Sequence, residues 1–538
     1  MDHSTQGTAS AHVDPFARAH LPPAELWPEL VFDLPELHYP PRINCAAELL
    51  DRHVAAGDGA RVALIGEHER WTYAQLQERV DRIANVLRGP MGLVPGNRVL
   101  LRGTNTPLMA AAILAVLKAG LVAVPTMPLL RTRELAAIAA KARVDAVLCA
   151  AALCADLDAV PDLPPVVHFG AGPDGALEAL MAQAPATFDA CDTAADDVCL
   201  IGFTSGSTGV PKGTMHFHRD VLAICDCFPR HTLRTQPSDV FVGTPPLAFT
   251  FGLGGLLLFP LRVGACAVLL EKLTPETLLK AIERYRATVC FTAPTAYGRM
   301  AALAAGHDLS SLRETVSAGE ALPVATRAAW QRATGLAMID GIGSTEMLHI
   351  FISAAGADVR PGATGKPVPG YRACVLDAQG TPVGPGVIGR LAVKGPTGCR
   401  YLDDARQGDY VCNGWNLTGD AYEMDADGYF HYRSRTDDMI VSSGYNIAGP
   451  EVEDALLRHP AVAECGVVGR ADGERGEIVE AHVVLRPKCG ATPALAAELQ
   501  DFVKGEIAPY KYPRRVVFAE SLPRTETGKL QRFRLRQS

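Results

Sequence analysis

The chain has 538 residues, of which 48% are hydrophobic and 20% charged, with a formal net charge of −8. That length exceeds what one hydrophobic core supports, so two or more domains are expected. The mild negative charge, with no dense Lys/Arg block before the tail, excludes an electrostatic case for nucleic-acid binding, and the polar start from Met1 to Gly7 lacks the basic and apolar regions of a secretory signal.

Residues 1–40, rich in Pro, Ala and polar side chains, are predicted to form an extended arm lying on the body. From about 45 to 320, strand-like runs alternate with helical patterns. Arg61–Ile65, Asn97–Leu101, Val144–Leu148, Asp239–Val242 and Thr288–Thr292 are examples. Such alternation predicts an α/β fold with largely parallel sheets. Two apolar windows resemble membrane spans but do not qualify. Met109–Pro125 is interrupted by Lys118 and Gly120, and Pro246–Leu270 carries several glycines, Pro260 and Arg262. A soluble cytoplasmic protein is expected. Between about 360 and 432 the pattern changes to short strands with glycine turns, as in Gly389–Gly395 and Asp427–Tyr432, which predicts a small β subdomain. The last hundred residues alternate again, with helices over Pro450–Leu457 and Ala494–Lys504 and strands over Ala461–Val468 and His482–Leu485. The predicted division is therefore a large domain over 41–436 and a small α+β domain over 437–538. The fourteen cysteines are scattered without a C-x-x-C pair, and most sit among apolar residues. Buried free thiols are the expected reading, rather than zinc ligands or disulfides.

Chemistry concentrates in a few strings. Directly after the apolar run Val198–Phe203 comes Thr204-Ser205-Gly206-Ser207-Thr208-Gly209-Val210-Pro211-Lys212-Gly213. Glycines allow the backbone close to an anion, hydroxyls and amides donate to phosphate oxygens, and Lys212 adds a charge that can follow a leaving phosphate. A Walker loop would require glycine where Pro211 stands and Ser or Thr where Gly213 stands. The alternating run Thr214–His218 reads as strand, so this is a phosphate loop between two strands. A second string, Asp340-Gly341-Ile342-Gly343-Ser344-Thr345-Glu346, combines glycines and a hydroxyl with a hard carboxylate suited to magnesium. Ser317–Leu322 lies at the end of a predicted strand, where α/β proteins bind ligands.

Together these strings, with Thr418-Gly419-Asp420, Arg435-Thr436-Asp437-Asp438, Ser442–Asn446 and the tail Pro523–Arg532, resemble the adenylate-forming superfamily of acyl-CoA synthetases, luciferases and peptide-synthetase adenylation domains. The resemblance runs from about residue 40 to the end. It implies a large domain with a β subdomain and a mobile C-terminal domain, with ATP, magnesium and coenzyme A as reactants. It makes Thr204, Ser205, Gly206, Ser207, Thr208, Gly209 and Lys212 the phosphate loop. It places Gly319, Glu320 and Ala321 along the adenine, with Asp340, Gly341, Gly343 and Thr345 near the nucleotide. Glu346 becomes the magnesium ligand, Asp420 and Arg435 the ribose pair, and Lys529 the mobile catalytic lysine, alongside Lys212 and Glu346. Asp437 takes the hinge position, and Gly444 and Tyr445 line the pantetheine passage. His218 reads as structural or gatekeeping.

The run Pro245–Gly252, where relatives that activate α-amino acids place an aspartate, holds no acid here. Phe249, Thr250 and Phe251, with Ala318, Ile342 and His349, suggest a short apolar pocket for a flat ring. Leu21–Pro28, Ile43–Leu50 and Asp340–Ile350 resemble benzoate- and 2-aminobenzoate-CoA ligases, with 2-aminobenzoate slightly ahead. Few residues follow Lys529, so no fused carrier is expected and coenzyme A is the simplest acceptor. Two alternatives stay open: a free-standing adenylation enzyme loading a separate carrier protein, and a nucleotide sensor without ligase activity. Neither a membrane nor a nucleic-acid partner is expected, and a homodimer is compatible with the sequence.

Overall fold

The computed structural model describes residues 8–172, 175–204, 211–442, 445–472, 475–487, 489–507, 509–524 and 530–537. Two large sheets form the framework among these residues. The first has six strands, in spatial order Val166–Phe169, Ala146–Ala150, Arg98–Arg102, Val122–Thr126, Val198–Thr204 and Lys212–Phe217. All neighbours run parallel except the last pair. The second has nine: Lys366–Pro367, Ile350–Ala354, Ile339–Gly343, Glu314–Ala318, Val289–Thr292, Val240–Gly243, Cys266–Val268, Val62–Ile65 and Arg70–Thr72. Its interior is parallel and its edges antiparallel. The α/β expectation is met.

Strands such as Arg98–Arg102 and Val122–Thr126 are buried along their whole length, which is why they read as continuous apolar runs rather than alternating ones. The first apolar window resolves into helix Pro107–Lys118 and strand Val122–Thr126. That helix is buried on nearly every face, and its last residue, Lys118, is neutralised by Asp51 at 2.9 Å and by Asp81. The second window becomes a winding helical segment over residues 250–263, followed by the strand Cys266–Val268. No helix among the described residues is long and apolar enough to cross a membrane.

The predicted β region is a five-stranded sheet built from Arg372–Leu376, Ile388–Lys394, Val411–Cys412, Trp415–Met424 and Phe430–Arg435. A further five-stranded sheet follows, from Ile440–Ser442, Tyr445–Ile447, Val462–Asp472, Gly476–Leu485 and Arg515–Phe518. It carries its own core of Ile447, Val452, Leu456, Val467, Val483, Leu499 and Val503. The N-terminal arm lies on the body: the Ala11 amide donates to Asp197 at 2.9 Å, and Asp14 pairs with the buried Arg98.

Candidate active site

Strands Val198–Thr204 and Lys212–Phe217 are antiparallel, with Thr204 opposite Lys212. The phosphate string therefore connects two adjacent strands, as its flanking runs predict. Of its members, Thr204, Pro211, Lys212 and Gly213 are described, whereas Ser205, Gly206, Ser207, Thr208, Gly209 and Val210 lie outside the described residues.

What surrounds Lys212 is set by an edge. Residues 400–402 pair with 213–215: Thr214 bridges Tyr401, the Met215 amide donates to the Arg400 carbonyl at 2.8 Å, and the Leu402 amide donates to that of Gly213 at 2.8 Å. This places Tyr401 beside the lysine. Lys212 Nζ donates to the Tyr401 hydroxyl at 3.1 Å, and that hydroxyl donates to Glu346 Oε1 at 2.6 Å. Burial and the Glu346 charge hold the phenol far above its ordinary range, so it stays a donor. One hydroxyl thus joins the lysine of the first string to the carboxylate of the second. No sequence pattern marked Tyr401, which stands alone in a loop-like stretch.

The same edge is pinned from beneath. Arg400 pairs with Asp220 at 2.8 Å, both side chains fully buried, and its guanidinium lies 4.0 Å from the Phe217 ring centroid. His216 Nε2 donates to the Thr345 carbonyl at 2.8 Å, and burial draws this imidazole down to about 4, so it is neutral. That bond ties the strand after the phosphate loop to the residue preceding Glu346.

The nucleotide-lining candidates sit where parallel strands end. Glu314–Ala318 and Ile339–Gly343 are neighbours, with Ser317 opposite Asp340 and Ala318 opposite Gly341. Gly319 follows the first with φ of +92°, a turn that favours glycine, and carries the chain to half-buried Glu320 and exposed Ala321. Asp340 is buried and faces Arg327 at 3.8 Å. Burial pushes its carboxyl up to about 7 against the pull of that guanidinium. Asp420 and Arg435 are cross-strand partners joined at 2.9 Å, and the same guanidinium nitrogen donates to the Thr418 carbonyl at 3.1 Å.

Arg524, ahead of Lys529, bridges Leu530 beyond it. It pairs with Glu464 at 2.9 Å and approaches Glu320 at 4.0 Å. Lys529 itself and Gly444 lie outside the described residues, as do the side chains of Asp437 and Tyr445. Asp437 stands in the turn Thr436–Asp438, and Tyr445 begins the strand Tyr445–Ile447.

Phe249, Thr250 and Phe251 are half-buried at the start of helix Thr250–Leu253, while Ile342 is half-buried and Ala318 buried at the ends of neighbouring strands. His349 lies deeper, ringed by Phe259 at 4.5 Å, Phe228 and Phe251 at 5.8 Å and Phe291 at 6.4 Å between centroids. Burial draws it down to about 3, against an opposing pull from the Phe251 backbone, and neither ring nitrogen makes a hydrogen bond of ordinary geometry among the described residues. The backbone approaches this ring closely: a Cβ at Gly254 would sit 2.4 Å from His349 Cδ2.

The model of the AMP-binding enzyme family matches residues 51–400, and that of the AMP-binding enzyme C-terminal domain matches 451–529. The chain belongs to the AMP-binding enzyme family. It is 38% identical over 520 residues to a benzoate–CoA ligase of Thauera aromatica, covering 94% of this chain and 98% of the relative. Among solved structures it resembles the anthranilate CoA ligase AuaEII in complex with anthranoyl-AMP, with a TM-score of 0.87 and 34% identity over 94% of this chain and 98% of that one. It also resembles a benzoate CoA ligase from Burkholderia xenovorans LB400, with a TM-score of 0.84 and 33% identity over 92% of this chain and 100% of that one. As a member of this family, the chain is an AMP-forming acid–CoA ligase.

Proposed function

We propose that this enzyme is an ATP-dependent aryl-CoA ligase, with 2-aminobenzoate slightly ahead of benzoate as substrate. The observation that carries this reading is the aromatic surround of Phe228, Phe251, Phe259 and Phe291 around a neutral, buried His349. Such walls suit a flat ring, and the run Pro245–Gly252 holds no carboxylate to pair with an ammonium group. With neither imidazole nitrogen in a hydrogen bond of ordinary geometry among the described residues, a substrate with an uncharged polar substituent is also favoured, because a buried polar group without a hydrogen bond is costly. Relatives named for benzoate, hydroxybenzoate and anthranilate support the same class.

In the first half-reaction the substrate carboxylate oxygen attacks the α-phosphorus of ATP. The bond to the bridging oxygen breaks, and pyrophosphate leaves. In the second, the thiol of coenzyme A attacks the acyl carbon, its proton is lost to solvent, and AMP leaves. Positioning and charge neutralisation supply most of the rate in such a displacement. Lys212 and Lys529 are assigned to the negative charge of the phosphates, and Asp420 with Arg435 to the ribose hydroxyls.

Glu346 fits magnesium: it is a buried carboxylate fixed through one oxygen by Tyr401, and magnesium commonly takes one or two carboxylates together with substrate phosphates. When bound, the ion supplies further neutralisation of the triphosphate. The small domain is assigned a rotation about Asp437 between the two halves, exchanging Lys529 for the loop of Gly444 and Tyr445.

The test is acid-dependent pyrophosphate release across benzoate, 2-aminobenzoate, hydroxybenzoates and medium-chain fatty acids, with coenzyme A as the sole thiol. Aryl acids are expected to lead. Preference for an aliphatic acid would overturn the aryl assignment, and pyrophosphate release without CoA ester would favour a carrier-protein acceptor.

A further inference from the structure

Away from the ligase residues, three soft or borderline ligands converge from separate elements. Cys45 follows Asn44 at the start of a helical turn, Cys199 is the second residue of strand Val198–Thr204, and His218 opens helix His218–Asp226. Cys45 and Cys199 are wholly excluded from solvent, as is His218, and the two sulfurs and one ring nitrogen lie within 4.8 Å of one another. His218 Nδ1 is 3.1 Å from Cys45 Sγ and accepts the Cys45 amide hydrogen at 3.2 Å. Its other nitrogen, Nε2, is buried without a partner among the described residues.

The geometry points to a binding site for a thiophilic divalent cation of the zinc class, held by Cys45 Sγ, Cys199 Sγ and His218 Nδ1. Zinc takes sulfur at about 2.3 Å and imidazole nitrogen at about 2.0–2.1 Å, so ligand atoms around it stand roughly 3.5–3.8 Å apart. The observed spacing brackets that value, and the Cys45–His218 contact needs to widen by only about half an ångström. The cation takes the Nδ1 lone pair that the Cys45 amide now shares.

Charge selects the valence. Each thiol gives up its proton to solvent on ligation, and the two thiolates then balance a divalent ion beside a neutral imidazole. A net charge of zero is the arrangement a buried site tolerates. A monovalent ion would leave one negative charge uncompensated, and hard cations prefer oxygen ligands, which this donor set lacks. A fourth position is open to water. Spacing rules did not reveal the site, because its ligands are brought together by the fold rather than by a local C-x-x-C pattern.

Because the ligands have no solvent access, loading is expected during folding. The full-length protein is therefore produced in zinc-supplemented medium, passed over a chelating resin and analysed for zinc by elemental analysis. About one zinc per chain is expected in the wild type, falling to background in Cys45→Ser and Cys199→Ser and retained in Cys290→Ala, whose thiol lies in another sheet. Production with cadmium provides a second readout, a thiolate-to-cadmium absorption band that both serine variants lose. Wild-type protein at background zinc with no cadmium band would overturn the proposal, whatever the folding of the variants. So would wild-type protein with two fewer titratable thiols and no metal, since the sulfurs would then be paired with each other. None of these readouts depends on ligase activity.

Discussion

Tyr401→Phe removes a single oxygen, and the structure assigns it a specific cost. The ring stays, so its edge contact with Tyr410 at 5.8 Å and its packing with Cys399 and Val411 are retained. What disappears is the hydroxyl that accepts from Lys212 at 3.1 Å and donates to Glu346 at 2.6 Å. A hydrogen bond to a charged group contributes about 1.5–3 kcal/mol. If that hydroxyl holds Lys212 and Glu346 for the triphosphate, the loss converts to roughly 10- to 150-fold in acid-dependent ATP–pyrophosphate exchange. Transfer from supplied acyl-AMP to coenzyme A does not involve the leaving pyrophosphate and is expected within about threefold of wild type. The magnesium concentration giving half-maximal exchange is expected to change as well, because the unshared Glu346 carboxylate is set free to move. A purely structural role would lower both half-reactions together with the thermal midpoint. Exchange within twofold of wild type, in a variant that folds, would falsify the assignment.

Other consequences are equally direct. Gly254→Ala places a methyl 2.4 Å from His349 Cδ2, and overpacking of this kind costs about 1–3 kcal/mol. A lowered denaturant midpoint together with a raised KM for the aryl acid is expected, and unchanged values for both would show that the ring is free to move away. Lys529→Ala is expected to abolish adenylation yet largely spare thioester formation from acyl-AMP, whereas equal loss in both halves would contradict its assignment. His216 and His349 are drawn by burial to about 4 and about 3, so below pH ~6.5 the unfolded chain binds protons that the folded one refuses, and their contribution to stability is lost as pH falls towards those values. Asp340, raised to about 7 by burial, works oppositely: its contribution is present below its ordinary range and lost as pH rises through 7. Asp340→Asn is therefore expected to steepen the acid-side fall of the urea midpoint, and an unchanged slope would refute the raised carboxyl.

The legible part of this molecule was what short-range chemistry dictates. Fully buried parallel strands announce themselves as apolar runs, and the proline and glycine flanking Lys212 marked a strand-to-strand loop, which the antiparallel pair Val198–Thr204 and Lys212–Phe217 bears out. Asp420 and Arg435 were legible as a pair only through the family resemblance, since each alone is an ordinary surface charge, and the hairpin register sets them opposite one another. Tyr401 was invisible because its role arises from an isolated bridge between 214 and 401, a tertiary pairing with no periodicity to read. His349 was legible as a pocket candidate, but its depth was not. The packed rings of Phe228, Phe259 and Phe291 account for the burial that keeps it neutral.

The edge strand Lys212–Phe217 is the point through which these parts are coupled. Its first residue meets Tyr401, its fifth holds the Thr345 carbonyl, and the helix beginning at His218 supplies Asp220 to neutralise Arg400. An antiparallel strand at the end of a parallel sheet has one free edge, and here residues 400–402 occupy it. The lysine and the carboxylate therefore move as one unit, because the hydrogen bonds that fix Tyr401 are main-chain bonds and do not depend on bound ATP. Preorganisation of this kind is what electrostatic stabilisation of a leaving pyrophosphate requires, since donors already in place pay no reorganisation when charge develops. Arg400 is the cost of that arrangement: a guanidinium with no access to solvent, tolerable only because the Asp220 carboxylate stands 2.8 Å away. Asp220→Asn should accordingly lower stability by about 3–5 kcal/mol and loosen the Tyr401 edge, reducing exchange even though residue 220 touches no substrate.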